Sequence, residues 1–176
     1  MKHSFWIFVL GVGVFPYIAL KILMQLPFFE LDQNFGKRDF GVVSRVAGQF
    51  VLQVEKNGDA WYVHPKRLNR SSILLYEDFL TVAKRDAMGV TAFQLESILS
   101  YGEQALLGRN FDQSLAKELR GTLLLVVDRE GEIWYVDMKN FVRHPMRNER
   151  EFLQTLARVG EGISNHDLAT VSIFEE

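Results

Sequence analysis

The sequence predicts an α+β protein in which an N-terminal transmembrane helix precedes two tandem ββαα repeats, with antiparallel hairpins covered by helices and a pseudo-twofold between the copies. Residues 48–98 and 121–171 are two copies of one pattern, held at a constant offset of 73 residues without a gap. Each copy shows strand-type alternation around a glycine turn, followed by helical spacing. Residues 5–20 carry no formal charge. We therefore predict a membrane anchor at 1–30, a linker at 31–41, repeat 1 at 42–103 and repeat 2 at 104–176.

The positions that recur between the copies are mostly apolar, aromatic or glycine, whereas chemically reactive residues do not recur. Such residues build turns and a core, so the duplication indicates a scaffold rather than a reaction. The matched pairs include Gly48 with Gly121, Gly58 with Gly131, Trp61 with Trp134, Tyr62 with Tyr135, and Phe79 with Phe152.

The apolar N-terminal segment has the composition of a membrane anchor. As a helix, residues 5–20 would span about 24 Å, and continuation to residue 29 exceeds the roughly 30 Å of a hydrocarbon core. The lysine within this stretch reaches an interface by extending its four-carbon stem. We predict contact with membrane lipid through Phe5, Trp6, Tyr17, Lys21, Phe28 and Phe29.

A cleaved signal peptide and a buried N-terminal core helix are the alternatives for this segment. Lys2 followed by an apolar stretch fits a signal peptide, but no small-x-small cleavage site follows it. We therefore favour an uncleaved anchor. A very short charged tail favours a cytoplasmic N-terminus, which places the folded domain outside.

The first half of each copy predicts a β-hairpin. Phe50, Leu52 and Val54 alternate with Val51, Gln53 and Glu55, which is typical of a half-buried strand. An Asn-Gly pair at residues 57–58 follows, and both central residues of a type I′ turn need positive φ. Copy 2 keeps the glycine as Gly131. On the returning strand the tryptophans face a core and the tyrosines face away from them.

The second half of each copy predicts two helices after an irregular stretch at residues 65–75 and 138–148. Apolar residues at helical spacing occupy 76–85 and 149–158. Gly89 and Gly162 then read as helix stops, each followed by a capping box that begins a second helix. A short amphipathic helix at 111–120, capped by Asp112, leads into copy 2.

Several of these segments together resemble a known repeat. They are Gly48, Leu52-Gln53-Val54-Glu55, the turn at Gly58, Ala60-Trp61-Tyr62-Val63 with Pro65, and Gly162-Ile163-Ser164-Asn165-x-Asp167-Leu168-Ala169. The pattern resembles the G-x-I-L-L-Q-V-E-x-x-G-x-A-W-Y-V-N-P repeat of uncharacterised bacterial envelope proteins. The resemblance implies an exported or membrane-anchored protein with extracytoplasmic repeats and no assigned catalysis. Here His64 and Asp137 replace the asparagine, Met138 replaces the proline, and the tyrosine-rich hairpin is absent from 66–76.

Composition narrows the range of functions. The 176 residues include no cysteine, which removes disulfides, thiol catalysis and cysteine-ligated metals. All 22 acidic side chains lie from Glu30 onward, together with every basic one except Lys2 and Lys21, so the folded part is net negative. A negative surface repels phosphate backbones, and we therefore expect no nucleic-acid partner.

Two groups of residues are candidates for partner or ligand contact. Exposed tyrosines on a sheet stack on sugar rings or anchor protein partners, and a cluster of basic residues binds anionic polymers. The alternatives are tyrosines buried under helices and basic residues in a solvated loop. The candidates are Tyr62 and Tyr135 in the first group, and Lys66, Arg67 and Arg70 in the second.

No residue pattern predicts catalysis, a cofactor or a metal. The four histidines lack metal-ligand spacing. Asp128, Glu130 and Glu132 suggest a calcium loop, but the distal bidentate glutamate is missing, so a charged hairpin tip is the better interpretation. No nucleophile elbow or phosphate loop occurs.

The leading hypothesis is a membrane-anchored, extracytoplasmic, non-catalytic binding or assembly protein, an accessory subunit of a membrane or cell-envelope complex with a protein partner. A module that binds a cell-wall glycan polymer is one alternative. A hydrolase or transferase with a dispersed active site, and a tethered regulator facing the cytoplasm, are the others.

Overall fold

The computed structural model describes residues 39–103 and 111–175. The predicted anchor at 1–30 lies outside these residues. Every helix within the described stretches is too short or too polar to cross a membrane. The predicted architecture, a transmembrane helix followed by two antiparallel ββαα repeats, is therefore corrected to an α+β assembly with mixed sheets.

Copy 1 forms three helices and four strands. Their order is α1 Phe40–Val46, β1 Phe50–Gln53, β2 Ala60–Val63, β3 Asn69–Ile73, α2 Tyr76–Asp86, β4 Met88–Val90 and α3 Ala92–Glu96.

Copy 2 repeats this order and adds a short final strand. It comprises α4 Gln113–Glu118, β5 Leu123–Val126, β6 Ile133–Val136, β7 Arg143–Pro145, α5 Glu149–Val159, β8 Glu161–Ile163, α6 Asn165–Ala169 and β9 Ser172–Ile173.

The two copies exchange their C-terminal strands. Sheet 1 has the order β8-β1-β2-β3-β9 and sheet 2 has the order β4-β5-β6-β7. Within each sheet the consecutive strands of one copy pair antiparallel, and the other copy supplies an outer strand that pairs parallel: β8 with β1, β9 with β3, and β4 with β5. Each sheet is therefore completed by the other copy.

This exchange explains why the predicted ββαα unit was wrong. Gly89 and Gly162 lie inside strands β4 and β8, whereas helix stops were expected there. The first half of the expected irregular stretch at 65–75 is a turn, and the second half is strand β3. Three-residue strands carry little local signal, and their pairing partners lie far away in the chain, so local periodicity does not reveal them.

The β-hairpin turns predicted at Asn57-Gly58 and at Gly131 are confirmed. In copy 1 the Asp59 N–H donates to the Lys56 carbonyl at 3.1 Å, and φ is positive at both Asn57 and Gly58. Copy 2 has the same turn, with positive φ at Glu130 and Gly131. Strand β1 ends at Gln53, so Val54 lies outside it and is 64% exposed, contrary to the prediction that it faces the core.

The long helices and the predicted caps are confirmed. Helices α2 and α5 cover the two segments that showed helical spacing. The Thr91 hydroxyl accepts from the Gln94 N–H at 3.2 Å, and the Asp112 carboxylate accepts from the Leu115 N–H at 2.9 Å. These side chains satisfy donors that the first helical turn leaves unpaired.

Three apolar clusters hold the assembly together, and each contains side chains from both copies. In the central core Phe79 of α2 stacks on Phe152 of α5 at 4.6 Å between ring centroids. The second core packs Leu95 against strands β5 and β6. The third core packs Leu168 against β1 and β2. Because these apolar surfaces are shared, neither copy has a core of its own.

Candidate functional site

The two tyrosines singled out as candidate contacts lie at the centre of the junction between the copies. Tyr62 and Tyr135 are each 1% exposed. The Tyr62 hydroxyl donates to the Gly121 carbonyl at 2.9 Å, and the Tyr135 hydroxyl donates to the Gly48 carbonyl at 2.9 Å. Burial raises the pKa of both phenols, which keeps them as donors. In this structure neither ring is presented at the surface, because helices cover the sheet faces that carry them.

Two of the basic candidates, Lys66 and Arg67, lie in the turn between β2 and β3. Arg67 and Arg85 both bind the carboxylate of Asp86, whose side chain is 0% exposed; Arg85 Nε lies 2.7 Å from Asp86 Oδ1. Burial opposes ionisation of this carboxylate, but the hydrogen bonds from Arg85 and Arg67 outweigh it and lower its pKa. Lys66 is exposed in this turn.

The third basic candidate, Arg70, stacks on a tryptophan. Its guanidinium carbon lies 4.6 Å from the centroid of the Trp61 ring. Burial lowers the pKa of Arg70, since the cation is partly removed from water. No carboxylate within the described residues forms an ion pair with Arg70. Copy 2 repeats the stacking with Arg143 over Trp134 at 4.8 Å.

A cleft opens beside Arg70, between strand β3, helix α2 and the segment that follows β9. Its volume is about 380 Å³. The wall combines aromatic rings, hydroxyl groups and one residue of each charge. It is lined by Trp61, Ser71, Ser72, Asp78, Thr81, Val82, Arg85, Ile173 and Phe174.

The floor of the cleft is an open strand edge. Along β3 the backbone groups alternate sides: the Asn69 carbonyl accepts from His64 on the β2 side, and the Arg70 carbonyl accepts from Phe174 on the β9 side. Strand β9 pairs only with Asn69 and Arg70. The N–H and C=O of Ser72 therefore point out of the sheet beyond the end of β9, and neither has a partner among the described residues.

The corresponding strand edge in copy 2 is closed. Pro145 stands at the position of Ser72 and has no N–H to offer. Its carbonyl accepts from the Thr155 hydroxyl at 3.1 Å, whereas the matching residue in copy 1, Val82, has no donor.

Near this edge, two further side chains of copy 2, Arg147 and Glu132, make contacts that copy 1 lacks. Arg147 lies over the Trp134 ring at 5.4 Å and bonds Glu151 at 2.9 Å, whereas Leu74 occupies its place in copy 1. The indole N–H of Trp134 donates to Glu132 at 3.2 Å, but the indole N–H of Trp61 has no partner among the residues that the structure describes. One copy thus retains an open, amphipathic edge that the other has filled.

The sequence pointed to Arg70 but missed Ser72, Thr81 and Phe174. The sequence does contain a signal for the open edge, because Ser72 of copy 1 aligns with Pro145 of copy 2. That difference gains meaning only once the position is known to face outward on an edge strand. The cleft also needs Phe174, which comes from the other copy.

Comparisons with protein-family models, with curated proteins and with solved structures found no match for this chain. Within residues 39–103 and 111–175, no group of three or more histidine, aspartate or glutamate side chains is arranged to hold a metal ion. The function therefore has to be argued from the cleft itself.

Proposed function

We propose that this protein is a non-catalytic binding and assembly protein, an accessory subunit of a membrane or cell-envelope complex, and that the copy 1 cleft holds a segment of a partner protein. The apolar residues 5–20 and the resemblance to envelope repeats support attachment to a membrane with the folded domain outside the cytoplasm. The partner remains defined by its chemistry alone.

One observation carries the proposal: the outer edge of the third strand is open at Ser72 in copy 1 and closed at the matching Pro145 in copy 2. An unpaired strand edge is a liability that proteins usually cover, as copy 2 does. At about 380 Å³ the copy 1 cleft falls within the range of ligand sites, and it combines rings with a few polar groups. An edge left open beside such a cleft fits a partner that completes it.

The polar groups of the cleft favour binding over catalysis. Oδ2 of Asp78 accepts from the N–H groups of Leu74 and Leu75, both at 2.9 Å, so this carboxylate closes the turn into α2. Arg85 is held by Asp86 and by the Ser71 hydroxyl at 2.7 Å. These contacts tie both side chains into the framework.

A glycan polymer is the second candidate, favoured by Trp61 beside the hydroxyls of Ser72 and Thr81. Aromatic rings next to hydrogen-bonding groups suit sugar rings. Arg70 already covers the Trp61 ring, however, which leaves less aromatic surface for stacking.

Site-specific photocrosslinking tests the proposal. A benzophenone amino acid replaces Thr81, which is exposed in the copy 1 cleft, or Gln154, its exposed counterpart on α5 in copy 2. In intact cells we expect position 81 to yield a discrete protein adduct, identified by mass spectrometry, and position 154 to yield none. Adducts of equal strength at both positions, or none at position 81, would overturn the proposal. Attachment to cell-wall material at position 81 would favour the glycan.

A further inference from the structure

We infer that the occupant of the cleft is an extended peptide segment that adds as a strand to the outer edge of β3 at Ser72 and places an acidic side chain against Arg70. This inference rests on the proposed function and specifies its ligand. It makes β3 the docking strand and assigns copy 2 a purely structural role.

The backbone of β3 sets the register of the added strand. The outward groups before Ser72 pair with β9, and the outward N–H after it, that of Leu74, is bound by Asp78. Within the described part of β3 and the turn after it, Ser72 alone offers both a backbone donor and a backbone acceptor on this edge. In an antiparallel pair, one residue exchanges both hydrogen bonds with the residue opposite. A single peptide residue opposite Ser72 satisfies both groups.

The half-buried Arg70 cation beside this edge favours an acidic peptide, although Asp78 also lines the cleft. Arg67 and Arg85 both bind the carboxylate of Asp86, and Lys66 is exposed nearby in the chain. Arg70 has no carboxylate partner among the described residues, although burial penalises its charge. A carboxylate from the partner would pair with this half-buried cation in an environment where ion pairs are stronger than at a fully exposed surface.

Exposed apolar side chains flank the same edge. They favour apolar residues in the peptide next to the residue that pairs with Ser72. Leu74 and Leu75 are 67% and 64% exposed at the end of β3, and Ile173 is 57% exposed on β9. Side chains of a strand alternate between faces. A strand opposite Ser72 would therefore offer apolar residues to this rim as well as its carboxylate to Arg70.

The Ser72→Pro variant tests the inference. Copy 2 has Pro145 at the matching position, so we expect the fold to accept proline there. A phage library of random dodecapeptides is depleted on the Ser72→Pro variant and then selected on the full-length wild-type chain in detergent. We expect enriched peptides with an aspartate or glutamate among β-branched residues. No enrichment, or enrichment of basic peptides, would contradict the inference.

Fluorescence anisotropy of the most enriched peptide then measures each contact. Ser72→Pro should weaken binding about tenfold, since the peptide carbonyl loses its donor. Arg70→Gln, or a peptide with lysine in place of its acidic residue, should also weaken binding about tenfold. The matched control Pro145→Ser should leave the affinity unchanged within about twofold, because Arg147 and Thr155 still close that edge. Wild-type affinity in either Ser72→Pro or Arg70→Gln overturns strand addition with acidic pairing.

Two further outcomes separate this inference from the proposed function. If the adduct at position 81 persists in the Ser72→Pro variant, a partner still binds the cleft and only the strand addition fails. If Ser72→Pro instead converts a dimer to a monomer in sedimentation velocity, the occupant is a second copy of this chain and the acidic-peptide inference fails.

Discussion

At the residue scale, the backbones of the two copies come close together at Gly48 and Gly121. A Cβ atom added to Gly121 would lie 2.7 Å from the Gly48 Cα, and one added to Gly48 would lie 2.9 Å from the Gly121 Cα. Both residues have positive φ, and their carbonyls accept the reciprocal tyrosine hydroxyls. Glycine is required here both by conformation and by contact. The aligned tyrosines and glycines therefore form one joint rather than two surface sites.

Gly121→Ala should destabilise the protein by about 3 kcal/mol or more, because an alanine adds steric overlap to an unfavourable φ. Gly131→Ala is the matched control. Its φ is also positive, but its nearest contact would be Leu125 at an ordinary 3.7 Å, so only the conformational cost of about 1 kcal/mol remains. Urea unfolding measures both values. Equal losses for the two variants would contradict the close packing at the junction.

The buried carboxylate of Asp86 predicts a pH dependence of stability. Its pKa is lower in the folded chain than in the unfolded chain, so its contribution is complete above the unfolded value of about 4. That contribution is lost as the pH falls through the lowered folded value. Asp86→Asn should therefore cost about 1.5–3 kcal/mol at pH 7 and progressively less at lower pH.

Urea midpoints of wild type and Asp86→Asn between pH 7 and pH 3 measure this convergence. Glu118→Gln, which removes the same charge at an exposed position, is the control. A stability gap for Asp86→Asn that widens on acidification would contradict the role given to the two arginines.

At the element scale, the sequence predicts those helices and turns whose signals lie close together in the chain. Helices α2 and α5 were predictable because their apolar spacing lies within about a dozen residues. The hairpin turns were predictable because Asn57-Gly58 fixes backbone conformation locally. Strands β4 and β8 were not, since each becomes a strand only by pairing with a partner from the other copy.

The candidate site divides in the same way. The cluster of basic residues in the sequence points to Arg70. The sequence leaves the tyrosines open between surface contact and burial, because strand alternation gives a face but not what covers it. The open edge at Ser72 depends on where β9 ends, a fact of pairing that one sequence does not state.

Because the copies exchange strands and helices, we predict that a core truncation in one copy lowers the local stability of strands in the other copy. Leu168 of copy 2 packs with copy 1 strands, and Leu95 of copy 1 packs with copy 2 strands. Each leucine is almost fully buried, so truncation to alanine should cost about 2–5 kcal/mol. In Leu168→Ala, native-state hydrogen exchange should accelerate in β1 and β2 more than in β5 and β6.

Leu95→Ala is the matched variant and should show the opposite pattern, with β5 and β6 losing protection first. If each truncation instead loosens the strands of its own copy, the strand exchange is wrong. Measuring the two variants side by side separates the exchange from a uniform loss of stability, which would affect all strands alike.

At the scale of the whole molecule, the chain resembles a dimer whose subunits have been joined. The exchanged strands, the shared cores and the reciprocal tyrosine bonds make each copy incomplete without the other. Because both copies lie in one chain, their sequences can differ at matching positions. Two identical subunits would both have the Ser72 edge or both have the Pro145 edge, whereas the joined pair has one open edge and one closed edge.

Cutting the chain after Glu103 tests this view, because both exchanged segments then depend on association. We expect fragments 1–103 and 104–176, co-expressed and purified in detergent through a tag on one of them, to form a one-to-one complex. Each fragment alone should lack cooperative unfolding. The complex should lose about 1.4 kcal/mol of stability per tenfold dilution, whereas the uncut control should show none of this dependence. Either fragment unfolding cooperatively by itself would mean that a copy carries its own core, contrary to the shared packing of Leu95 and Leu168.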